Sequence, residues 1–242
     1  MKWGERMAIY ITGDTHGDID IAKLNGKSFE EGNALTKEDY LIICGDFGLV
    51  FQPYETKGER RLLKWLNDKP WTTLFVDGNH ENFDRLLNYP KVEKFGGTLH
   101  QIMPSIYHLM RGEIYTIDGK SVFTFGGAFS HDRFYRREYY SWWKQELPTK
   151  EECDYARKNL EKVHQKVDII ISHDAPGNVA RQYGYHRSCM GNGYDKNQVN
   201  ILDFLQEIYK TVEFKDWYCG HYHIDMDDEN FHFMYNRIVR VE

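Results

Sequence analysis

The sequence of 242 residues has no apolar run near the roughly 20 residues that a membrane-spanning helix needs. Its longest apolar runs, such as Tyr40–Cys44, are short, and no N-terminal stretch resembles a signal peptide. The four cysteines form no CxxC pair, and two of them lie inside strand-like runs. We therefore expect reduced thiols, no membrane partner and a cytoplasmic location.

Positive charge is also scarce for a protein that coats nucleic acid. Lys and Arg number 31 against 37 Asp and Glu, which gives a formal net charge of −6. Because no long basic stripe is present, we do not expect a long nucleic-acid duplex as a partner. The sequence also lacks repeats, low-complexity tracts and linkers, which predicts a single domain over residues 1–242.

Strand-like and helix-like segments alternate in the first half of the chain. Runs rich in β-forming residues cover Ala8–Thr12, Asp39–Cys44 and Thr72–Val76. Helical patterns follow the second and third of these runs, at Glu59–Leu66 and Asn82–Leu87. Alternation of this kind predicts βαβ units and a largely parallel sheet.

The second half of the chain indicates a second, partly antiparallel sheet. Glu113–Phe125 predicts a hairpin whose two-residue turn is Asp118-Gly119. Phe231–Tyr235 and Arg237–Val241 are expected to close the chain as another hairpin. Between them the patterns predict two helices, at Thr149–His164 and Asn197–Tyr209. They also predict two strands, at Val167–Ser172 and Asp216–Cys219.

At five points a strand-like run ends and is followed closely by Asp, Asn or His. The five sites are Asp14-Thr15-His16, Gly45-Asp46, Gly78-Asn79-His80, His173 and Gly220-His221-Tyr222-His223. Because the carboxyl ends of parallel strands lie at one edge of a sheet, we expect these side chains to converge. Glycines before the polar residues permit sharp turns and close backbone approach.

The chemistry of this set points to transition metals. Carboxylate oxygens, imidazole nitrogens and a carboxamide oxygen suit Mn, Fe or Zn better than Mg or Ca, which prefer oxygen ligands alone. About seven candidate ligands are too many for one tetrahedral ion. They suit two ions, roughly 3.5–4 Å apart, that share a bridging carboxylate.

The five blocks, in this order, resemble the calcineurin-like metallophosphoesterase superfamily, and especially its small bacterial and phage members. They read D-x-H, G-D, G-N-H-E, a lone His and G-H-x-H, and they extend from Asp14 to His223. The resemblance implies an α/β fold of four layers, in which two β-sheets are sandwiched between helices. It also implies a metal-dependent hydrolase of phosphate esters.

The resemblance further implies a role for each block. Two divalent or trivalent ions of Mn, Fe or Zn are the expected cofactors, and Mn is the metal expected to support activity in vitro. A hydroxide that bridges the ions would attack phosphorus in line, while His80 would protonate the leaving group or stabilise its charge. The implied ligands of the first ion are Asp14, His16 and His223. Those of the second ion are Asn79, His173 and His221, and Asp46 is the implied bridge between the two ions.

Candidate substrate contacts lie outside the five blocks. Arg133, Arg136 and Arg137 are candidates to clamp a phosphate, although they could equally pair with acids on a solvated face. Asp174 is grouped with them, or supports the metal ligands by hydrogen bonding. Gln182–Asn197 is either a loop over the site or a plain surface loop. Histidines elsewhere, including His100, are expected to be surface or polar-interior residues.

The chain departs from the protein Ser/Thr phosphatase branch of the family. Leu49 and Val50 replace an Asp and an Arg of its second block, and Asp77 replaces the Arg of its third. Loss of both phosphate-binding arginines favours a phosphodiesterase acting on a nucleotide-like substrate. The alternatives are a phosphomonoesterase, including a Ser/Thr-type protein phosphatase, and a catalytically silent scaffold of the same fold.

Overall fold

Two β-sheets pack face to face at the centre of the computed structural model, which describes residues 7–183 and 196–242. Strands are numbered in chain order. The first sheet holds β1 (Ile9–Thr12), β2 (Tyr40–Ile43), β3 (Thr72–Phe75), β4 (Lys91–Lys94), β5 (Gly97–Met103), β6 (Ile106–Leu109) and β13 (Ile238–Arg240). Their spatial order is β13-β1-β2-β3-β6-β5-β4, and β1, β2, β3 and β6 run parallel.

The second sheet has six strands. They are β7 (Ile114–Ile117), β8 (Lys120–Phe125), β9 (Ile169–Ser172), β10 (Asp216–Cys219), β11 (Met226–Asp228) and β12 (Phe231–Phe233). Their spatial order is β11-β12-β10-β9-β8-β7, and the four central strands run parallel. The two sheets bury side chains such as Ile11, Ile42 and Ile171 between them.

Helices cover the two outer faces of this sandwich. They are α1 (Lys57–Asn67), α2 (Phe83–Leu86), α3 (Lys150–Lys162), α4 (Gly177–Gln182) and α5 (Ile201–Thr211). Leu63 and Leu66 of α1 join the core on the outer face of the first sheet. Leu160 of α3 and Phe204 of α5 join the core on the outer face of the second. The predicted fold, two sheets sandwiched between helices, is therefore confirmed.

Local signals placed several of these elements correctly. Thr149 caps α3 through a complete capping box with Glu152, and Thr56 accepts a hydrogen bond from the Glu59 amide at the start of α1. The β7–β8 hairpin turns at Asp118 and Gly119, which both have positive φ, as a primed two-residue turn requires. These contacts lie within a few residues of one another, so sequence spacing reveals them.

The predicted C-terminal hairpin is wrong. Phe231–Phe233 pairs with β10 and β11 in the second sheet, whereas Ile238–Arg240 pairs with β1 in the first. The carboxylate of Asp225 accepts hydrogen bonds from the amides of residues 235–237 and so supports the crossing between sheets. Strands β4 to β6 were not predicted from the sequence.

Other expectations concern the cysteines and the membrane. Cys44, Cys153 and Cys219 are free and buried. In residues 7–183 and 196–242, no helix combines the length and the apolar character that crossing a membrane requires. Most of the predicted loop Gln182–Asn197, namely residues 184–195, lies outside the described part of the chain.

Candidate metal centre

The polar side chains of all five sequence blocks meet between the two sheets. Three blocks follow β1, β2 and β3 of the first sheet, and two follow β9 and β10 of the second. Their carboxylate and imidazole atoms form three overlapping groups in which all ligand atoms lie within 4.8 Å of one another. The groups are Asp14, His16 and His223; His16, Asp46 and His80; and Asp46, His173 and His221.

Asp46 lies at the centre of this arrangement. Its Oδ2 is 3.2 Å from Nε2 of His16, and its Oδ1 is 3.3 Å from Nε2 of His173. The two oxygens of one buried carboxylate therefore face two different ligand groups. This is the placement that a carboxylate shared between two ions requires.

The remaining candidate ligands divide into two sets on either side of Asp46. On the side of His16, Nε2 of His223 is 3.1 Å from Oδ2 of Asp14. On the other side, Oδ1 of Asn79 is 3.3 Å from Nε2 of His173. The division is the one that the family resemblance implies.

Hydrogen bonds behind the ligands orient them. Nδ1 of His16 is 2.7 Å from the carboxylate of Asp20, and Nδ1 of His173 is 2.8 Å from the carbonyl oxygen of Cys44. Because an N–H at Nδ1 donates to each of these oxygens, the lone pair at Nε2 is left for a ligand.

Asn79 is oriented by a chain of two polar side chains. Its amide nitrogen donates to Oγ of Ser130 at 3.2 Å, and that hydroxyl donates to Glu146 at 2.7 Å. Glu146 also accepts from the backbone amide of Ser130 at 2.8 Å. The carboxamide oxygen of Asn79 is thereby turned toward His173. Sequence spacing did not reveal Ser130 or Glu146, although Ser130 lies three residues before Arg133, the first of the three candidate arginines.

The backbone of these loops leaves no room for side chains at the glycines. A Cβ on Gly78 would lie 2.1 Å from Oδ1 of Asp46, and a Cβ on Gly220 would lie 2.2 Å from Oδ1 of Asp14. Four candidate ligands themselves have left-handed φ, between 43° and 67°, a region that non-glycine residues seldom occupy. They are His16, Asp46, His221 and His223.

The carboxylates and imidazoles of the centre change one another's pKa values. Burial favours a neutral Asp46, yet His173, His80 and His16 around it hold the pKa of its carboxyl well below the usual range. Burial likewise opposes a charge on His173, but Asp46 and Asp14 raise the pKa of that imidazole to about 10. Carboxylates and imidazoles that share so little space favour a cation among them.

Of the three candidate arginines, Arg136 lies beside His80. Its Nη2 donates toward Nε2 of His80 at 3.1 Å, and Nη1 lies 3.5 Å from Nδ1. Its Nε is also paired with the carboxylate of Asp132 at 2.7 Å, so the pairing with an acid that the sequence left open is present as well. Burial lowers the pKa of His80, and the guanidinium lowers it further despite the opposite effect of Asp46. Arg133 packs against the rings of Phe129 and Phe134.

Arg137 and Asp174 lie apart from these contacts. The Arg137 guanidinium packs over the Tyr140 ring, 5.8 Å from its centroid. Asp174 is fully buried, and its carboxylate accepts hydrogen bonds from the Tyr222 hydroxyl and the Ala175 amide. Its burial favours the supporting role over a substrate contact, because Tyr222 lies between two candidate ligands in sequence.

The donor set fits the metals that the sequence suggested. Each side of Asp46 offers imidazole nitrogen together with carboxylate or carboxamide oxygen, which suits Mn, Fe or Zn. In His16 and His173, the ring nitrogen that faces inward is the one whose opposite nitrogen has a hydrogen-bond partner. The structure therefore fits two transition-metal ions.

Known proteins and one protein family resemble this chain. A family model described as calcineurin-like phosphoesterase matches residues 7–225. The chain is 24% identical over 239 residues to a lariat debranching enzyme of Schizosaccharomyces pombe, covering 90% of this chain and 48% of that protein. It is 27% identical over 248 residues to a lariat debranching enzyme of Drosophila pseudoobscura pseudoobscura, covering 90% of this chain and 42% of that protein.

The chain therefore spans less than half the length of these curated relatives. Among solved structures, a Staphylococcus aureus protein described as a candidate 5'-nucleotidase aligns with a TM-score of 0.49 and 15% identity. That alignment covers 97% of this chain and 50% of the other.

Proposed function

The chain belongs to the calcineurin-like phosphoesterase family, and from that membership we propose that it is a dinuclear metal-dependent phosphodiesterase for a nucleotide-like substrate. The observation that carries the proposal is Asp46, whose two oxygens face separate ligand groups. The ligands of the first ion would be Asp14, His16, Asp46 and His223, and those of the second Asp46, Asn79, His173 and His221.

The donor set favours divalent or trivalent Mn, Fe or Zn, and we propose Mn for work in vitro. When bound, two such ions would supply a hydroxide nucleophile near neutral pH and would neutralise charge on the phosphoryl oxygens. The role of the chain is to hold the substrate so that its leaving oxygen lies opposite that nucleophile. His80 and Arg136 are the residues placed to do so.

We assign the leaving-group position to His80 and the phosphate contact to Arg136. The guanidinium lies within 3.1 Å of the imidazole, so a second positive charge on the ring is disfavoured. Once Arg136 turns from the ring to the phosphate, a neutral His80 would stabilise the leaving oxygen by donating a hydrogen bond from one ring nitrogen. Arg136 would bind the phosphate through its paired N–H groups.

A diester fits this site better than a monoester. Leu49 and Val50 are buried, and the carboxylate of Asp77 binds Arg111 and His108 behind the site. None of these three positions therefore offers the cationic side chain that a phosphate dianion would need. A single guanidinium, that of Arg136, suits the single negative charge of a diester. The names of the curated relatives, lariat debranching enzymes, favour the same choice.

Two surfaces beside the site favour a nucleotide-like substrate. A cavity of about 430 Å³ adjoins His16 and His80 and is lined in part by Phe51 and Leu62. Near Arg136 in sequence, Phe134 and Tyr135 are 80% and 95% exposed. Exposed aromatic rings next to a phosphate contact can stack a base. We propose that one organic group of the diester occupies the cavity and the other contacts the exposed rings.

Side-by-side hydrolysis of bis(4-nitrophenyl) phosphate and 4-nitrophenyl phosphate tests this proposal. The protein is stripped with a chelator and refilled with Mn²⁺. We expect chelation to abolish activity, refilling to restore it, and kcat/KM to be about tenfold or more higher for the diester, since one cationic contact suits a monoanion.

Two variants make the test specific. Asp46→Asn should lower kcat/KM about 100-fold, because the shared ligand is lost. His164→Asn is the matched control, since His164 is exposed, lies outside the site and has a left-handed φ of 56° that Asn tolerates. A higher kcat/KM for the monoester, or an Asp46→Asn variant as active as His164→Asn, would refute the proposal.

A further inference from the structure

The two histidines proposed for the first ion are held in different ways. His16 has a hydrogen-bond partner behind its ring, because its Nδ1 lies 2.7 Å from the carboxylate of Asp20. Nδ1 of His223 has no such partner in residues 7–183 and 196–242, and the side chain of His223 is 49% exposed. A half-exposed imidazole can turn about its side-chain bonds, so another contact has to fix the direction of its Nε2.

An aromatic ring lies behind His223 instead. The ring of Tyr235 is stacked on the imidazole, with centroids 4.7 Å apart and planes 12° apart. The imidazole also meets the ring of His16 nearly at right angles, with centroids 4.9 Å apart. Stacked and edge-to-face pairs are the arrangements that aromatic rings favour. Between these two rings, Nε2 of His223 lies 3.1 Å from Oδ2 of Asp14.

Tyr235 also contacts the residue that orients His16. Its hydroxyl donates to Oδ1 of Asp20 at 3.4 Å, and Oδ2 of the same carboxylate faces Nδ1 of His16. One side chain therefore contacts His223 directly and His16 through Asp20. In the part of the chain that the structure describes, the contacts of Tyr235 do not include the proposed ligands of the second ion, Asn79, His173 and His221.

The backbone of Tyr235 is tied to the loop that carries Asp14. Tyr235 lies in the crossing between the sheets, where its amide donates to the carboxylate of Asp225 at 2.8 Å. Its carbonyl oxygen accepts a hydrogen bond from the ammonium group of Lys23. The same ammonium group donates to the carbonyl oxygens of Gly13 and Asp14, at 3.0 and 2.6 Å. The three donors of the lysine therefore hold the ring of Tyr235 at a fixed place beside the ligands.

We propose that Tyr235 is a positioning residue of the metal centre, which holds His223 by stacking and thereby strengthens binding of the first ion but not of the second. The inference rests on the proposed function, because it requires two separate ion sites. It adds to that function a residue from the crossing between the sheets, 12 positions beyond His223 in the sequence.

Calorimetric titration with Mn²⁺ in two single-site backgrounds tests the inference. Asn79→Ala lacks a ligand of the second ion and leaves the first site, whereas His223→Ala leaves the second. Tyr235→Leu should weaken Mn²⁺ binding about five- to tenfold in the Asn79→Ala background, the range that an aromatic pair contributes. In the His223→Ala background the stacking partner is absent, so the affinity should stay within about twofold. Equal losses in the two backgrounds, or no loss in the first, would overturn the inference.

Conservative and control variants separate positioning from a general effect on the fold. In the Asn79→Ala background, Tyr235→Phe keeps the stacked ring and should bind Mn²⁺ within about twofold of its parent. Tyr54→Leu, at a position that is 72% exposed, is the matched control and should not change the affinity. Tyr235→Gln, which also lacks the ring, gives the same test if Tyr235→Leu does not fold. A Tyr235→Phe variant as weak as Tyr235→Leu would contradict positioning by the ring.

The wild type, titrated in the same way, tells the two possible failures apart. Fewer than two Mn²⁺ ions per chain would refute the proposed dinuclear function. Two ions in the wild type, together with unchanged affinity in Tyr235→Leu, would refute the role of Tyr235 and leave the proposed function standing.

Discussion

Polar groups that hydrogen-bond to the candidate ligands fix the direction in which those ligands point. Asp20, the carbonyl oxygen of Cys44 and Ser130 each hold the far side of a ligand. The ligands themselves could be predicted, because each closely follows a strand. Ser130 could not, because 51 residues separate it from Asn79 and only the packing of the two sheets brings them together.

Removing the Ser130 hydroxyl tests this support. Ser130→Ala leaves the amide nitrogen of Asn79 without an acceptor, so the carboxamide can rotate. We expect Mn²⁺ affinity at the site that includes Asn79 to fall by about 10- to 100-fold in calorimetric titration. Ser28→Ala, at an exposed position away from the site, should bind as the wild type does. Equal Mn²⁺ affinities in the two variants would show that Ser130 does not orient Asn79.

The arginines of the segment after β8 are expected to differ in their effect on activity. Arg136 contacts His80, whereas Arg137 packs on the Tyr140 ring. Arg136→Ala should lower kcat/KM for the diester by about 10- to 100-fold, the contribution of a charged hydrogen bond. Arg137→Ala should stay within about twofold. The reverse order in the kinetic assay would assign the phosphate contact to Arg137 instead.

At the scale of the secondary-structure elements, glycines in the turns let neighbouring strand ends approach each other. Gly78→Ala would place a methyl group 2.1 Å from the Asp46 carboxylate, so we expect loss of Mn²⁺ binding while the fold persists. Gly58→Ala, in helix α1, is the control. The atom nearest to a Cβ added at Gly58 is Oγ1 of Thr56, 3.7 Å away. That change should raise the free energy of unfolding by about 0.5–1 kcal/mol in urea titration. Full metal binding by Gly78→Ala would refute the steric argument.

Strands β8 and β9 are joined at their starts by Asp168. Its carboxylate contacts Lys215 and accepts hydrogen bonds from the amide and hydroxyl of Ser121, and these contacts lower its pKa to about 2. A lowered folded pKa stabilises the fold above the unfolded value near 4, and that stability is lost as the pH falls through 2.

Comparison of wild type with Asp168→Asn in metal-free protein measures this contribution. We expect the variant to be less stable by about 1 kcal/mol at pH 6, a modest value because the carboxylate is partly exposed. The difference should shrink between pH 4 and pH 2 in urea titrations. A difference that stays constant over that range would show that ionised Asp168 is not its source.

At the scale of the whole molecule, the family resemblance implied the four-layer fold, whereas the sequence pattern itself predicted two sheets and the convergence of five strand ends. Those features depend on local alternation and on the rule that parallel strands end at one edge. The C-terminal hairpin was wrong because local pattern cannot show that two neighbouring strands join different sheets. Asp225, which supports that crossing, contacts backbone 10 to 12 residues away.

The number of metal ions bound by each chain tests the central claim most directly. Elemental analysis after refilling with Mn²⁺ and dialysis should give two ions per chain for the wild type. Asp46→Asn should retain fewer than two, because both groups lose an oxygen of the shared carboxylate. One ion or none in the wild type would contradict a dinuclear site and, with it, the proposed reaction.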